Sequence, residues 1–239
     1  MTSELTNVKA ILFDLDETLI DAAAGLKDAH RNAVIKKLRE YFPSEFSDYS
    51  DDFLREKIMD FDDRMNLKTQ YDRDKWWPKI LQELDVNREL NSNQIKELTK
   101  TYWDTYIESA EPYDDVQSTL EYLKNKGYSL GVVTDTDNSG RPKEPRVTKL
   151  EFSNLLDTIV VGGEDTEKTK PSPQSFELAA ERLKVKPFEC LAVGDKPFAD
   201  IKGAKSAGMK AIWVKRREWD SEEEPDMTIN SIKELKELF

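Results

Sequence analysis

Two aspartates, Asp14 and Asp16, stand two residues apart at the end of a short apolar run, Val8 to Phe13. Residues two apart at a strand end face the same side, so both carboxylates can approach one ligand. Other groups of the same kind follow at the ends of later runs. Thr134-Asp135 closes the run Tyr128 to Val133. Gly194-Asp195 closes Cys190 to Val193 and leads through Lys196-Pro197-Phe198-Ala199 to Asp200. Lys170 precedes Pro171-Ser172-Pro173 just before a helical pattern starting near Gln174. If the runs lie side by side, Asp14, Asp16, Asp195 and Asp200 meet Thr134 and Lys170 at one edge. Four acids that close repel strongly, and one lysine cannot neutralise them. A hard divalent cation with oxygen ligands can, and Mg²⁺ binds through a few carboxylates, leaving positions for water and phosphate.

The elements that must position these residues are legible in outline. Thr158 to Val161 and Lys210 to Val214 add two more short β-branched runs, bringing the number to five. Helical periods separate the later ones, at Val116, Leu120 and Leu123, at Phe176, Leu178, Ala179 and Leu183, and at Ile201, Ala204 and Ala207. Ile232, Leu235 and Leu238 predict a last amphipathic helix. Strands alternating with helices predict an α/β fold: a Rossmann-like three-layer core with a parallel sheet, whose ligands sit beyond the carboxyl ends of the strands. Between Asp21 and Tyr113 no strand pattern occurs. Helical periods there (Val34, Leu38, Tyr41; Ile95, Leu98, Tyr102, Tyr106) are punctuated by Pro43, Pro78 and Pro112. These residues predict an inserted α-helical cap domain over 21–113, within a core of 1–20 and 114–239, with hinges near Ile20 to Ala24 and Ala110 to Tyr113.

Composition narrows the partners. The 239 residues are 38% hydrophobic and 35% charged, with a formal charge of −12. That balance disfavours nucleic acid and requires a phosphorylated ligand to find local positive charge. No run approaches the roughly 18 apolar residues of a membrane span, so no membrane partner is expected. The start, MTSELTNVKA, lacks the pattern of a secretory signal, and the single cysteine, Cys190, fits a reducing cytoplasm. No Gly-x-x-x-x-Gly-Lys-Ser/Thr loop and no Gly-x-Gly-x-x-Gly after a strand is present.

The arrangement resembles the haloacid dehalogenase superfamily. VKAILFDLDETLID is similar to its first motif, Asp-x-Asp-x-Thr after an apolar strand. Thr134 matches the second, Lys170 in Lys-Pro-x-Pro-x-x-Phe the third, and Gly194 to Asp200 the fourth, in family order from Val8 to about Val214. One motif alone would be weak, whereas four in order are specific. The resemblance implies a Mg²⁺-dependent phosphomonoester hydrolase acting on a small phosphorylated metabolite. Asp14 would be the nucleophile and form an aspartyl-phosphate, and Asp16 would serve as general acid and then base. The metal would be held by the Asp14 carboxylate, the Asp16 backbone carbonyl and Asp195, with Asp200 in support. Thr134 and Lys170 would hold phosphoryl oxygens, joined by backbone groups at Asp135 and in the turn at Thr18. The cap would close over the core and contact the rest of the substrate, which suggests sugar phosphates, three-carbon phosphates or phosphoglycolate. Glu17 stands where many relatives carry Gly, Asp or Asn.

Other readings stand beside these. Asp14 and Asp16 could begin a turn, Thr134 could cap a helix, and Asp200 could equally cap the helix after it or support the metal. His30, the only histidine, reads as structural or solvent-facing, and Cys190 as inert. Trp76, Trp77 and Trp103 read as cap core. Arg64, Lys68, Arg73 and Lys75 are candidate substrate contacts that read more simply as solvated surface charges. Within the same fold, a phosphosugar mutase shares most core residues, and a 2-haloacid dehalogenase would lack Asp16. A non-enzymatic phospho-acceptor or scaffold of the response-regulator kind would be about half this length, without a helical insert.

Overall fold

A computed structural model of the chain describes residues 7–21, 29–138 and 141–239. It resolves into two compact units. One comprises Met1–Asp21, Glu111–Thr136 and Pro142–Phe239; the other comprises Ala22–Ala110 together with Asp137–Arg141. The expected division fell at 20/21 and 113/114. No local pattern announced that 137–141 would join the helical unit. Of the first expected hinge, residues 22–24 lie outside the described residues.

The α/β unit is built on strands β1 (Ala10–Phe13), β2 (Ile20–Asp21), β3 (Glu111–Pro112), β4 (Ser129–Asp135), β5 (Thr158–Gly162), β6 (Cys190–Gly194), β7 (Lys210–Val214) and β8 (Met227–Ile229). Six of them form one sheet in the order β5-β4-β1-β6-β7-β8, every neighbouring pair parallel. The Rossmann-like α/β core is therefore as expected. The runs AILF and CLAVG are buried at every position because helices cover both faces of a parallel sheet. Ala10, Leu12, Val133 and Val160 pack with Phe176 and Ala180 of the helix Gln174–Arg182 and with Ile201 and Ala204. β1 lies between β4 and β6, with the later strands running outward on either side, which makes its carboxyl end the point where strand order reverses.

Two features were not expected. β8 follows a charge-rich stretch and has only three residues, so it presents no apolar run to read. β2 and β3 pair antiparallel, Ile20 with Pro112 and Asp21 with Glu111, inside segments read as strandless hinges. Strands of two residues are too short to show a period.

The helical unit contains Ala29–Tyr41, Asp51–Leu67, Trp76–Glu83 and Ser92–Ser109. Ser50 caps the second helix by accepting from the Phe53 amide, and Asn91 with Gln94 forms a capping box on the fourth. The core contains Val34, Leu38, Phe46, Leu98, Tyr102 and the three tryptophans Trp76, Trp77 and Trp103. His30 is buried edge-on against Tyr102 and Tyr106, at 4.8 and 5.5 Å between ring centroids. Arg73 corrects the surface reading. It is buried, with its guanidinium 4.2 to 4.5 Å from the ring centres of Trp76, Tyr102 and Trp103 and 3.8 Å from Asp62. Cation–π attraction and the nearby carboxylate offset its desolvation. Arg64 pairs with Glu83 at the surface. Among the described residues no helix is long and apolar enough to cross a membrane.

Candidate active site

The acids arrive at one edge because the central strands end together. The Asp14 amide donates to Val193 O at 2.9 Å, carrying the β1–β6 pairing one residue beyond β1 and setting Asp14 beside the start of the Gly194-Asp195 turn. Thr134 lies buried near the end of β4, and Lys170 leads into the helix Gln174–Arg182. Lys170 is the hub. Its Nζ donates to Asp14 Oδ1 and Asp200 Oδ1, both at 2.6 Å, and to Val133 O at 3.2 Å. Burial works against the ammonium, but Asp14, Asp200 and Asp135 push its pKa well above the lysine range.

Carboxylate oxygens of Asp14, Asp195 and Asp200 all lie within 4.8 Å of one another, and all three residues are buried. Asp200 places Oδ2 on the Lys196 amide at 2.9 Å and Oδ1 on Lys170, so it closes the cluster rather than capping the helix Lys202–Ser206. Gly194 is required for this: a Cβ there would overlap the Asp200 carboxylate. Asp195 Oδ1 accepts from Thr18 Oγ1 at 3.4 Å, and Asp195 O accepts from Trp213 Nε1 at 2.9 Å. Its buried Oδ2 has no hydrogen-bond partner. Burial raises the Asp195 carboxyl well above its usual range; Lys196 opposes this, and Asp14 and Asp200 add to it. Burial likewise raises Asp200, against the pull of Lys170. An orphaned buried oxygen within a cluster of three acids and one lysine is a donor set that suits a hard, oxygen-seeking divalent cation.

Three expectations need correction. Thr18, assigned to the phosphate, is fully buried and spends its hydroxyl on Asp195. Its amide is also taken, by Leu15 O at 3.3 Å in the tight turn after Asp14. Asp135 was expected to act through its backbone alone. Its carboxylate instead accepts the Lys170 amide at 3.0 and 3.2 Å, while its carbonyl accepts from Lys143 Nζ at 2.8 Å. Burial raises the Asp135 carboxyl to about 6 against the pull of Lys170. Asp16 does not turn its carboxylate into the acidic cluster. One oxygen accepts from Lys143 Nζ at 2.5 Å and the other from Arg146. Burial alone would raise Asp16, but Arg146 and Lys143 overcome it and hold the carboxyl far below the usual range.

Lys143 and Arg146 are the site residues that sequence reasoning missed. They lie in the polar stretch RPKEPR after β4, and nothing local distinguishes them from surface bases. The turn also explains position 17. Glu17 adopts φ +65°, a left-handed conformation that Gly, Asn and Asp take more readily than other residues. Cys190 is buried at the start of β6, and burial pushes its thiol up to about 12, in keeping with inertness.

Comparison with known proteins places this geometry in a family context. Residues 11–214 match the family model described as haloacid dehalogenase-like hydrolase. The glyceraldehyde 3-phosphate phosphatase of Pyrococcus furiosus is 28% identical, covering 98% of this chain and 94% of its own. The pyrophosphatase PpaX of Bacillus cereus is also 28% identical, over 95% and 94% of the two chains. The crystal structure of a HAD phosphatase from Thermococcus onnurineus superposes with a TM-score of 0.67 at 29% identity, covering 97% of each chain.

Proposed function

Since the chain belongs to the haloacid dehalogenase-like hydrolases, we propose that it is a Mg²⁺-dependent phosphatase cleaving small phosphate monoesters through a phosphorylated Asp14. The observation that carries this reading is the buried cluster of Asp14, Asp195 and Asp200, bridged by Lys170, with Asp195 Oδ2 unpartnered.

Asp14 is the group whose oxygen attacks phosphorus. As that bond forms, the bond from phosphorus to the ester oxygen breaks, and the departing alkoxide takes a proton from Asp16, which must first move off Arg146 and Lys143 and take up that proton from solvent. In the second half, Asp16 removes a proton from water; the water oxygen attacks phosphorus, and inorganic phosphate leaves as the Asp14 carboxylate is restored. Lys170, already on Asp14, orients the nucleophile and faces the charge on the phosphoryl oxygens, and the Thr134 hydroxyl is suited to donate to one of them. Magnesium held by Asp14 and Asp195, with Asp200 in support, would supply further positive charge to the phosphoryl group when bound. The helical unit serves as the specificity cap, a role supported by its insertion between β2 and β3. A reducing cytoplasmic setting is supported by the single, buried Cys190.

Para-nitrophenyl phosphate hydrolysis, followed with magnesium and with excess chelator, tests the reading. Expected are metal-dependent release of inorganic phosphate and loss of at least about a thousandfold in kcat for Asp14→Asn. With a hexose phosphate as substrate in the same assay, isomerised phosphosugar in place of free phosphate would convert the reading to a mutase. Chelator-insensitive turnover, or none on any phosphate ester, would defeat it.

A further inference from the structure

Arg216 follows β7 and has no part in the chemistry described above, yet it reaches the turn behind the nucleophile. Its Nη2 donates to the Thr18 carbonyl and to Asp115 Oδ1, both at 3.3 Å, and its guanidinium lies 3.7 Å from the ring centre of Tyr113. The Tyr113 amide in turn donates to Leu19 O at 3.1 Å. Arg216 therefore holds Thr18 directly and Leu19 through Tyr113. Its side chain is only 13% exposed, and its Nε is buried without a hydrogen-bond partner.

A purely structural purpose would end at Asp115. That residue precedes the helix Val116–Asn125, and its other carboxylate oxygen accepts from Ser231, so the ion pair ties helix and C-terminal segment to the sheet. A lysine could make that pair without burying an unsatisfied Nε. The contact with Thr18 needs another reason, and the Thr18 hydroxyl supplies it by donating to Asp195 Oδ1 at 3.4 Å. The Asp195 carbonyl meanwhile accepts from Trp213 Nε1 of β7 at 2.9 Å. The end of β7 thus secures Asp195 twice, at the main chain through Trp213 and at the carboxylate through Arg216 and Thr18. Oδ2 is the oxygen left over.

We propose that Arg216 is a positioning residue for the divalent-cation site: it fixes the Thr18 turn, so that the Thr18 hydroxyl engages Asp195 Oδ1 and leaves Oδ2 to the metal. The inference rests on the metal-dependent reading of the same site and deepens it. Groups behind a ligand orient it and tune its affinity, although they never touch the ion.

Calorimetric titration of magnesium chloride into wild type, Arg216→Met, Thr18→Val and the double variant tests this, with urea melts confirming that each is folded. Either single substitution should raise the magnesium Kd about tenfold. The double variant should also bind about tenfold more weakly than wild type, where independent effects would multiply to about a hundredfold. Arg216→Lys keeps a charge for Asp115 without the planar fork. It should recover only part of the affinity, and it takes the place of Arg216→Met in the cycle if that variant does not fold. A Kd for Arg216→Met within about twofold of wild type, with only the melt shifted, would make Arg216 structural and overturn the inference. Multiplied losses in the double variant would overturn it too, because Arg216 would then act apart from Thr18. Absence of magnesium binding to wild type would defeat the metal reading and the inference with it, whereas the other two outcomes defeat the inference alone.

Discussion

In the helical unit, Arg73 is buried among Trp76, Tyr102 and Trp103, donates to the Tyr102 hydroxyl at 3.1 Å and faces Asp62, which also pairs with Arg31. In the α/β unit, Lys170 is equally buried but faces three acids, Asp14, Asp200 and Asp135, with Asp195 close by and one of its oxygens orphaned. The first arrangement sets two cations, Arg31 and Arg73, on one carboxylate, with aromatic faces around Arg73. The second carries an excess of negative charge that its own side chains leave unbalanced. Burying charge is costly in both places, so the difference lies in which sign is in excess and what faces it. The sign of the imbalance separates the two: an excess of cation enclosed by aromatic faces in the helical unit, and in the α/β unit an excess of acid that suits the divalent cation proposed above.

The largest expected effect comes from removing the hub. Lys170→Met should lower kcat/KM by at least about a hundredfold, because the nucleophile loses its orienting cation. The metal-free protein should also lose about 3–5 kcal/mol of unfolding free energy, with acids left facing acids. Steady-state kinetics and urea melts in chelator read the two losses, and a variant with near wild-type turnover would break the contrast.

Arg73→Met applies the same operation to the helical unit. It should lower unfolding free energy by about 2 to 3 kcal/mol through the lost contacts with the three aromatic faces, Arg31 staying on Asp62. Below the transition, kcat/KM should stay within about threefold of wild type, since changes remote from the chemistry act on stability. A much larger catalytic loss would mean that Arg73 meets the substrate, contrary to its enclosure by aromatic rings.

The smallest effect is a pH dependence. Asp135 is raised to about 6 in the fold, above an unfolded value of about 3.9. Its contribution is therefore fully present below the unfolded value and lost as pH rises through the folded one, up to about 3 kcal/mol. Asp195 and Asp200, raised by burial, act in the same direction. Asp16, held low by Arg146 and Lys143 despite its burial, acts oppositely, its contribution disappearing as pH falls below about 4. In chelator, stability should decline between pH 5 and pH 7, and magnesium should flatten the decline by favouring the charged acids. Urea melts across that range check it; stability rising toward pH 7 in chelator would contradict it.

The legibility of these features follows from how local their causes are. Asp14, Thr134, Lys170, Asp195 and Asp200 could be named because each follows a short apolar run or precedes a helical pattern, and parallel strands deliver their ends to one edge. The β2–β3 ribbon and β8 could not, since two or three residues carry no period. Arg73 read as a surface charge because its enclosing rings come from two helices, Trp76–Glu83 and Ser92–Ser109. Trp76 lies three residues on, but Tyr102 and Trp103 are about thirty residues away and nothing near Arg73 reports them.

The sequence by itself determined which acids end which strands, the all-parallel core and the helical insertion, because periodicity and strand-end chemistry are properties of neighbouring residues. Tertiary structure alone decided which of those acids share a centre and which is drawn off. Asp16 meets Lys143 and Arg146 across 127 and 130 residues, and Thr18 meets Asp195 across 177. Such pairings follow from the order in which strands assemble around β1. No spacing rule along the chain encodes the distance between side chains that the fold itself brings together.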